Sequence, residues 1–254
     1  MFREPPLEEG RPPLRQHFDD QTPAYVDPGA LDSVVLIYDA KATMLGSGTV
    51  IAPDRVLTAA HVIDDMTRDE RGRLTVNIDG KPVTAVVEGA GDPHAQHGDW
   101  ALLALDRAYW SQVAVVHEPA RTLGWTPPIG AEILLVGFAA GFFPDKVIDV
   151  DKPTPCLVAR VQATKPAQPE WYAEGDLVEP KGMSGGAAML WNHEKNRPEL
   201  IGIFRGYVGT ATVRTEQTLV LGVVTSEREI TARGIAFTIH RLPQCVTNPG
   251  SGGR

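Results

Sequence analysis

The sequence predicts an all-β protein built in two halves. From Ser33 onwards, short runs of β-branched and other apolar residues alternate with turn signals, which is typical of a sandwich or of barrels. Helical periodicity is poor, and only residues 59–65 and 226–233 are modest helix candidates. The proline-containing connector 125–130 separates two β-rich halves of similar length, which suggests two barrels.

Short candidate strands follow one another along both halves. Four segments make up the first half: 33–40, 46–63, 73–89 and 99–107. Within the third of these, Asp79-Gly80 separates two alternating runs and predicts a tight β-hairpin. Five segments make up the second half: 132–138, 155–163, 184–191, 199–208 and 234–242.

The length of 254 residues indicates one or two domains. Residues 1–29 are rich in proline and mixed charge, which predicts a flexible N-terminal extension. Residues 30–126 and 127–245 are the predicted first and second barrels, and 246–254 is a linker-like tail.

The composition is that of a soluble globular protein, with 43% apolar and 22% charged residues. A formal net charge of -8 argues against non-specific binding to nucleic acid or to an anionic membrane. No signal-like segment opens the sequence and the longest apolar run, 133–143, is too short to cross a bilayer, so we expect a cytoplasmic location. Cys156 and Cys245 cannot form a multi-bridge framework or a four-cysteine zinc site, and whether they pair stays open.

Three short segments carry residues suited to acyl transfer. His61 follows a strand in LTAAHV, Asp99 opens the apolar run GDWALL, and Ser184 lies between glycines in GMSGG. A serine hydroxyl is a weak nucleophile until a base takes its proton, and an imidazole, with an ordinary pKa near ~6.5, suits that task. A carboxylate orients the imidazole. In a G-x-S-G-G turn, the N–H groups of Gly182 and Ser184 can point to one spot, as a developing oxyanion requires.

In this order, LTAAHV, GDWALL and GMSGG resemble the motifs of the trypsin/chymotrypsin superfamily of serine peptidases, with a spacing similar to its bacterial HtrA-like branch. The resemblance covers roughly residues 30–242. It implies two antiparallel β-barrels with the active site in the cleft between them. It also implies that His61 is the general base, Asp99 the acid that orients it and Ser184 the nucleophile. The expected substrate is a protein or peptide, no cofactor or metal is implied, and whether a regulatory partner protein exists stays open.

The same resemblance suggests which residues bind substrate. Val178, six residues before the serine, would form the base of the pocket for P1, the residue on the acyl side of the cleaved bond, with Tyr207 and Ala236 as its walls. An apolar base predicts small or medium apolar P1 residues, because a charged side chain would lose its hydration there. A register shifted by one would place Glu179 at the base and favour Arg or Lys. An inward-pointing Arg205 would favour an acidic P1.

Two positions depart from the family pattern. Met183 stands where relatives activated by N-terminal cleavage carry an acid, so such activation is not expected and the order of this loop must come from elsewhere. Arg205 stands where many relatives have a small residue, and it can pair with Asp99 or Glu179 or line the pocket. No PDZ-like segment follows residue 245, so a complete HtrA-type degrader is not expected.

Other interpretations of these residues compete with a peptidase. Asp92 is an alternative to Asp99, and His94 and His97 in the same loop resemble a metal cluster but fit a polar loop better. GMSGG also matches the G-x-S-x-G turn of α/β-hydrolases, but that fold needs strand–helix alternation, which the sequence lacks. The rival from another class is a protein-binding module with an idle triad, which Met183 and Arg205 favour.

Overall fold

The strands of the structure form two closed barrels and one separate hairpin, and all of them pair antiparallel. The computed structural model describes residues 32–38, 44–64, 69, 72–78, 81–92, 98–108, 113–122, 125–138, 156–164, 170–175, 182–208, 213–220, 223–231, 235–243 and 246. The predicted N-terminal extension and residues 247–254 of the predicted tail lie outside this set.

The first barrel has six strands in the order β1-β2-β3-β6-β5-β4, and the pairing of β1 with β4 closes it. Its strands are β1 Val34–Tyr38, β2 Met44–Ala52, β3 Arg55–Thr58, β4 Leu74–Ile78, β5 Lys81–Ala90 and β6 Ala101–Leu105. Ile78 lies opposite Lys81, so two residues connect β4 to β5 and the hairpin predicted at Asp79-Gly80 is confirmed. A short helix, α1 (Ala60–Asp64), follows β3 where a helical turn was expected.

The second barrel has the strand order β10-β11-β14-β9-β8-β7 and is also closed. Its strands are β7 Glu132–Val136, β8 Cys156–Thr164, β9 Glu170–Gly175, β10 Ala187–Asn192, β11 Arg197–Val208 and β14 Ile235–Arg241. A short 3₁₀ helix, Glu118–Arg121, lies in the connection between the barrels. The expected fold class of two antiparallel barrels is confirmed.

A two-stranded hairpin interrupts the second barrel between β11 and β14. It consists of β12 (Val213–Val220) and β13 (Val223–Thr231), which among the described strands pair with each other and with no other strand. The helix expected at 226–233 is therefore wrong, because residues up to Thr231 are strand. The charged residues there are good helix formers, but the cross-strand register with β12, which places Arg228 opposite Glu216, overrides that local preference.

Apolar alternation along the strands fills the interior of each barrel. The interior cluster of the first barrel contains Ile37, Val56 and Leu103, and that of the second contains Leu135, Ile201 and Phe204. Successive strand residues face opposite sides, so the residues that do not fill an interior are available for other contacts.

A third cluster packs the two barrels against each other. It contains Val34, Leu36 and Leu57 from the first barrel together with Leu134 and other residues of the second. We call this group the shared cluster; its remaining buried members are Ala114, Val116, Val136, Phe138, Ala187, Met189, Leu200, Ile203, Leu242 and Val246. Because it is buried and apolar, it aligns the chain segments that emerge from both barrels beside it.

Candidate active site

The first barrel brings His61 and Asp99 together although they are 38 residues apart in the chain. His61 lies on α1, directly after β3, and Asp99 lies two residues before β6. β3 pairs with β6, with Thr58 opposite Ala101, so the end of one strand meets the start of the other. Strand pairing therefore places the histidine beside the acid.

Asp99 holds His61 at two points. The His61 ring atom Nδ1 lies 2.8 Å from Asp99 Oδ2, and the His61 backbone N–H donates to Oδ1 at 3.0 Å. The Asp99 side chain is only 2% exposed, whereas that of His61 is 41% exposed. An ionised carboxylate only accepts hydrogen bonds, so Nδ1 carries a proton, and in the neutral imidazole Nε2 then has the lone pair.

The environment of Asp99 keeps it ionised. Burial raises the pKa of the Asp99 carboxyl, but hydrogen bonds from the His61 ring, the His61 backbone and Arg205 outweigh burial, and the pKa lies below its ordinary value. The alternative acid, Asp92, is exposed. Of the two acids, Asp99 is the one that contacts the imidazole.

Arg205 on β11 is the second partner of Asp99. Its guanidinium Nε–H donates to Asp99 Oδ2 at 2.8 Å, so Arg205 and His61 share one carboxylate oxygen. The structure contains the pairing with Asp99, one of the three arrangements that the sequence left open, and Glu179 lies outside the described residues. This contact places a permanent positive charge beside the His61–Asp99 pair.

Ser184 enters the site from the second barrel, on the turn that precedes β10. Its hydroxyl donates to the backbone carbonyl of Arg205 at 3.1 Å. Gly182 and Gly185 in this turn have φ values of 93° and 83°, a region where residues with a Cβ are strained. The two glycines thus allow the sharp turn that presents the serine.

Met183, between Gly182 and Ser184, is fully buried in the interior of the second barrel. Its side chain therefore anchors the turn by packing, and it supplies no charge. This fits the expectation that the order of the loop comes from elsewhere.

The structure adds Ser47 and Thr58 to this region, and neither was expected from the sequence. Ser47 Oγ donates to the carbonyl of Gly182 at 2.8 Å, and Thr58 Oγ1 donates to the carbonyl of Ser47 at 2.7 Å. Both are fully buried hydroxyl residues on strands of the first barrel. For Ser47, the sequence signal that could have pointed to this role is a small polar residue between two glycines, at 46–48, inside a predicted strand.

The predicted substrate-binding residues are only partly described. Val178 and Glu179 lie outside the described residues. Tyr207 lies opposite Phe237, and Ala236 lies opposite Val208, so the backbones of Tyr207 and Ala236 are on neighbouring strands β11 and β14.

Two other features bear on the expectations from the sequence. His94 and His97 of the predicted polar loop lie outside the described residues, as does Cys245. In the described ranges, no three His, Cys, Asp or Glu side chains form a group that could hold a metal ion. Within the same ranges, no helix is long and apolar enough to cross a membrane.

Residues 46–203 match the family model described as the trypsin-like peptidase domain. The matched segment contains His61, Asp99 and Ser184 and covers more than half of the chain. No curated protein sequence matches significantly.

The fold also resembles that of solved structures of the Rv3671c protease. A crystal structure of its inactive form is 18% identical to this chain, with a TM-score of 0.53, and the match covers 96% of this chain and 100% of that one. A serine-to-alanine variant from M. tuberculosis H37Rv, also in an inactive form, is 19% identical, with a TM-score of 0.52 and 90% coverage of each chain. At these identities the likeness shows the fold.

Proposed function

The chain belongs to the trypsin-like peptidase domain family, and we propose that it is a serine endopeptidase with His61, Asp99 and Ser184 as its catalytic triad. The observation that carries the proposal is the contact of the buried, ionised Asp99 with His61 Nδ1 at 2.8 Å. This contact leaves Nε2 available as the base. Arg205, whose guanidinium donates to Asp99 and whose backbone carbonyl accepts from Ser184, supports the inclusion of Ser184 in the same site.

In the proposed reaction, His61 Nε2 accepts the hydroxyl proton while Ser184 Oγ bonds to the carbonyl carbon of the peptide. The carbonyl electron pair moves to oxygen, and the N–H groups of Gly182 and Ser184 stabilise that oxyanion. His61 then gives its proton to the leaving amine as the C–N bond breaks, which leaves an acyl-enzyme. Water, deprotonated by His61, hydrolyses this ester and restores Ser184.

The Ser184 hydroxyl must turn before it reacts, because it donates to the Arg205 carbonyl in this structure. We propose that a bound substrate redirects this proton to His61 Nε2. Catalytic hydrogen bonds are often poorly aligned in the absence of substrate and tighten in the complex.

The rival function is a protein-binding module in which the triad is idle. The observation that favours it is the same pair of Arg205 contacts, since both Ser184 and Asp99 have a partner that is not part of the triad. In that case the site would bind peptides without forming a covalent adduct.

A covalent probe separates the two functions. We expect an organophosphonate to label wild-type protein at Ser184, and Ser184→Ala to lose both labelling and peptide cleavage. EDTA should leave activity unchanged, because the proposed chemistry uses no metal. A folded wild type that neither labels nor cleaves would favour the binding module, and activity that survives Ser184→Ala but not EDTA would exclude this mechanism.

We further propose that substrates carry small or medium apolar P1 residues, on the basis of Val178 at the predicted pocket base. A P1-varied peptide library, with Glu179→Gln as the comparison variant, tests this. An unchanged apolar preference in the variant supports the proposal, whereas a preference for Arg or Lys that Glu179→Gln removes supports the shifted register. A preference for Asp or Glu would instead implicate Arg205. The cytoplasmic location stays a prediction, which cell fractionation tests.

A further inference from the structure

Ser47 connects the first barrel to the turn that carries Ser184. It lies on β2 and is fully buried, and both hydrogen-bond partners of its Oγ belong to the second half of the chain. The Oγ donates to the Gly182 carbonyl at 2.8 Å and accepts from the Phe138 N–H at 2.8 Å. The Ser47 backbone N–H donates to the Ser184 carbonyl at 2.8 Å. One residue thus contacts the turn on both sides of Met183.

These bonds determine how the peptide planes of the turn are oriented. The carbonyls of Gly182 and Ser184 are held by Ser47, and the carbonyl of Met183 between them accepts from the Gly186 N–H at 2.8 Å. A peptide group is planar, so an N–H points away from the carbonyl of its own plane. The N–H of Ser184 shares its plane with the Met183 carbonyl, which the Gly186 N–H holds directly, and the bonds from Ser47 hold the two peptide planes on either side of it.

The donors that the proposed mechanism requires are available. Among the described residues, no backbone acceptor takes the N–H of Gly182 or of Ser184. A backbone N–H that no backbone acceptor takes is suited to bind a developing oxyanion.

Hydrogen bonds within the second half of the chain restrain part of the turn, since Gly186 N–H donates to the Met183 carbonyl at 2.8 Å and Gly185 N–H donates to the Phe204 carbonyl at 2.7 Å. Gly182, by contrast, has a φ of 93° and no Cβ to restrict its backbone. Met183 packs in the interior of the second barrel and forms no charge pair with its side chain. The restraint on the Gly182 carbonyl is a side-chain hydrogen bond from the other barrel.

Thr49 provides a comparison on the same strand. It is two residues from Ser47 and equally buried, but its Oγ1 has no hydrogen-bond partner within the described part of the chain. A buried hydroxyl on β2 therefore does not have to form a hydrogen bond. The contacts of Ser47 are specific to the position that faces the Ser184 turn.

We propose that Ser47 is a positioning residue that acts from the first barrel to orient the Ser184 turn for oxyanion binding. The inference rests on the proposed function. It means that catalytic competence depends on how the barrels are docked, because β2 must be in place for the turn to be held. Loss of one oxyanion donor costs on the order of 10²–10³ in kcat, so partial misorientation should cost roughly 10- to 100-fold.

The test compares Ser47→Ala with Thr49→Val, which removes a buried hydroxyl from the same strand without removing a hydrogen bond. For each protein we would measure kcat, KM, thermal unfolding and the affinity for a peptide boronic acid, whose adduct with serine is tetrahedral. For Ser47→Ala we expect kcat and boronate affinity to fall together by roughly 10- to 100-fold, with KM within about threefold of wild type. Thr49→Val should match wild type in kcat, KM and boronate affinity.

A purely structural role gives a different result. It would lower the unfolding temperature and the fraction of protein that reacts with a phosphonate, while the active fraction kept wild-type kcat and boronate affinity. That result, or unchanged kinetics in Ser47→Ala, would overturn the inference and leave the proposed function standing. If Ser47→Ala does not fold, Ser47→Cys takes its place, because a thiol of similar size donates only a weak hydrogen bond. A wild type that neither labels nor cleaves would overturn the proposed function, and the inference with it.

Discussion

At the scale of single residues, two groups share one oxygen of Asp99. His61 Nδ1 and Arg205 Nε both lie 2.8 Å from Oδ2, and Oδ1 accepts from the His61 backbone. The carboxylate therefore orients the imidazole while part of its charge is already balanced by an arginine. Each partner can be removed separately.

Asp99→Asn tests the role of the acid. An asparagine amide has one oxygen and one NH₂ group, so it cannot accept a hydrogen bond at both positions as Asp99 does. An NH₂ group that faces Nδ1 favours the wrong imidazole tautomer, so kcat should fall by on the order of 10⁴, as it does in Ser-His-Asp peptidases when the acid is replaced by Asn. Steady-state kinetics on a peptide substrate measures this. Asp92→Asn is the control, since Asp92 is exposed. A severe loss in the control with a mild loss in Asp99→Asn would make Asp92 the acid.

Arg205→Ala tests the effect of the neighbouring charge. The guanidinium hydrogen bond is one of the contacts that lower the pKa of the Asp99 carboxyl, so its removal should raise the pKa of Asp99, as measured by NMR titration of the carboxyl carbon. The Arg205 backbone carbonyl, which accepts from Ser184, remains in this variant.

The matched control is Arg107→Ala, which removes the charge of an exposed arginine beside Asp106. In this variant the pKa of the Asp99 carboxyl should coincide with that of wild type. An Asp99 pKa that stays in place or falls in Arg205→Ala would contradict an electrostatic role for the guanidinium.

At the scale of elements, a buried acid ties the β10–β11 hairpin to the connection between the barrels. Glu199 on β11 has a side chain that is 1% exposed, and its Oε2 lies 2.7 Å from His117 Nδ1 and accepts from Asn192 at 3.0 Å. Lys195 and Arg197 contact Oε1 at 3.2 and 3.3 Å. One carboxylate therefore links the two strands, the turn between them and His117 of the connection.

These contacts make the hairpin sensitive to acid. Burial raises the pKa of Glu199, but the hydrogen bonds from Asn192, His117 and Lys195 outweigh burial and lower it from 4.5 to about 2. A lowered folded-state pKa contributes stability that is fully present above the unfolded value of 4.5 and is lost as the pH falls towards 2.

Glu199→Gln should remove this contribution. The variant should be less stable than wild type by about 3 kcal/mol at pH 7, and the difference should shrink as the pH approaches 2. Denaturant unfolding at a series of pH values measures it. Glu118→Gln is the control, because Glu118 is largely exposed and should show no such convergence. A stability difference that is constant with pH would contradict the proposed linkage.

At the scale of the whole molecule, the site depends on the shared cluster. His61 and Asp99 come from the first barrel and Ser184 from the second, so their alignment depends on how the barrels pack. Two neighbouring residues of β7 allow the packing between the barrels to be tested separately from the packing inside one barrel. Leu134 lies in the shared cluster, and Leu135 lies in the interior of the second barrel.

Leu134→Ala and Leu135→Ala form a matched pair. Both should lower the free energy of unfolding by about 2–5 kcal/mol, because each leaves a cavity. Leu134→Ala should also lower kcat/KM by roughly 10-fold or more at temperatures where both variants are folded, since small misplacements of reacting groups are costly. Denaturant unfolding and steady-state kinetics test the pair. Equal kinetic effects would mean that the shared cluster does not set the alignment.

Much of the fold could be predicted from the sequence because strand alternation and turn chemistry are local. The hairpin at Asp79-Gly80 and the short helix at His61 are examples. The prediction of a helix at 226–233 was wrong because the conformation of these residues depends on pairing with β12, which is not a local property of the segment. Local patterns contain no information about a partner strand.

The candidate site likewise combines features that follow from the sequence with contacts that only the fold creates. The sequence by itself determined which side chains are candidates for a triad and that glycines flank the serine, because chemistry and conformational freedom belong to the residues themselves. Only the tertiary structure decided that Arg205 pairs with Asp99, 106 residues away, and that Ser47 reaches Gly182 across 135 residues. The docking of two barrels creates those contacts, and a hydrogen bond between distant residues leaves no periodic trace along the chain.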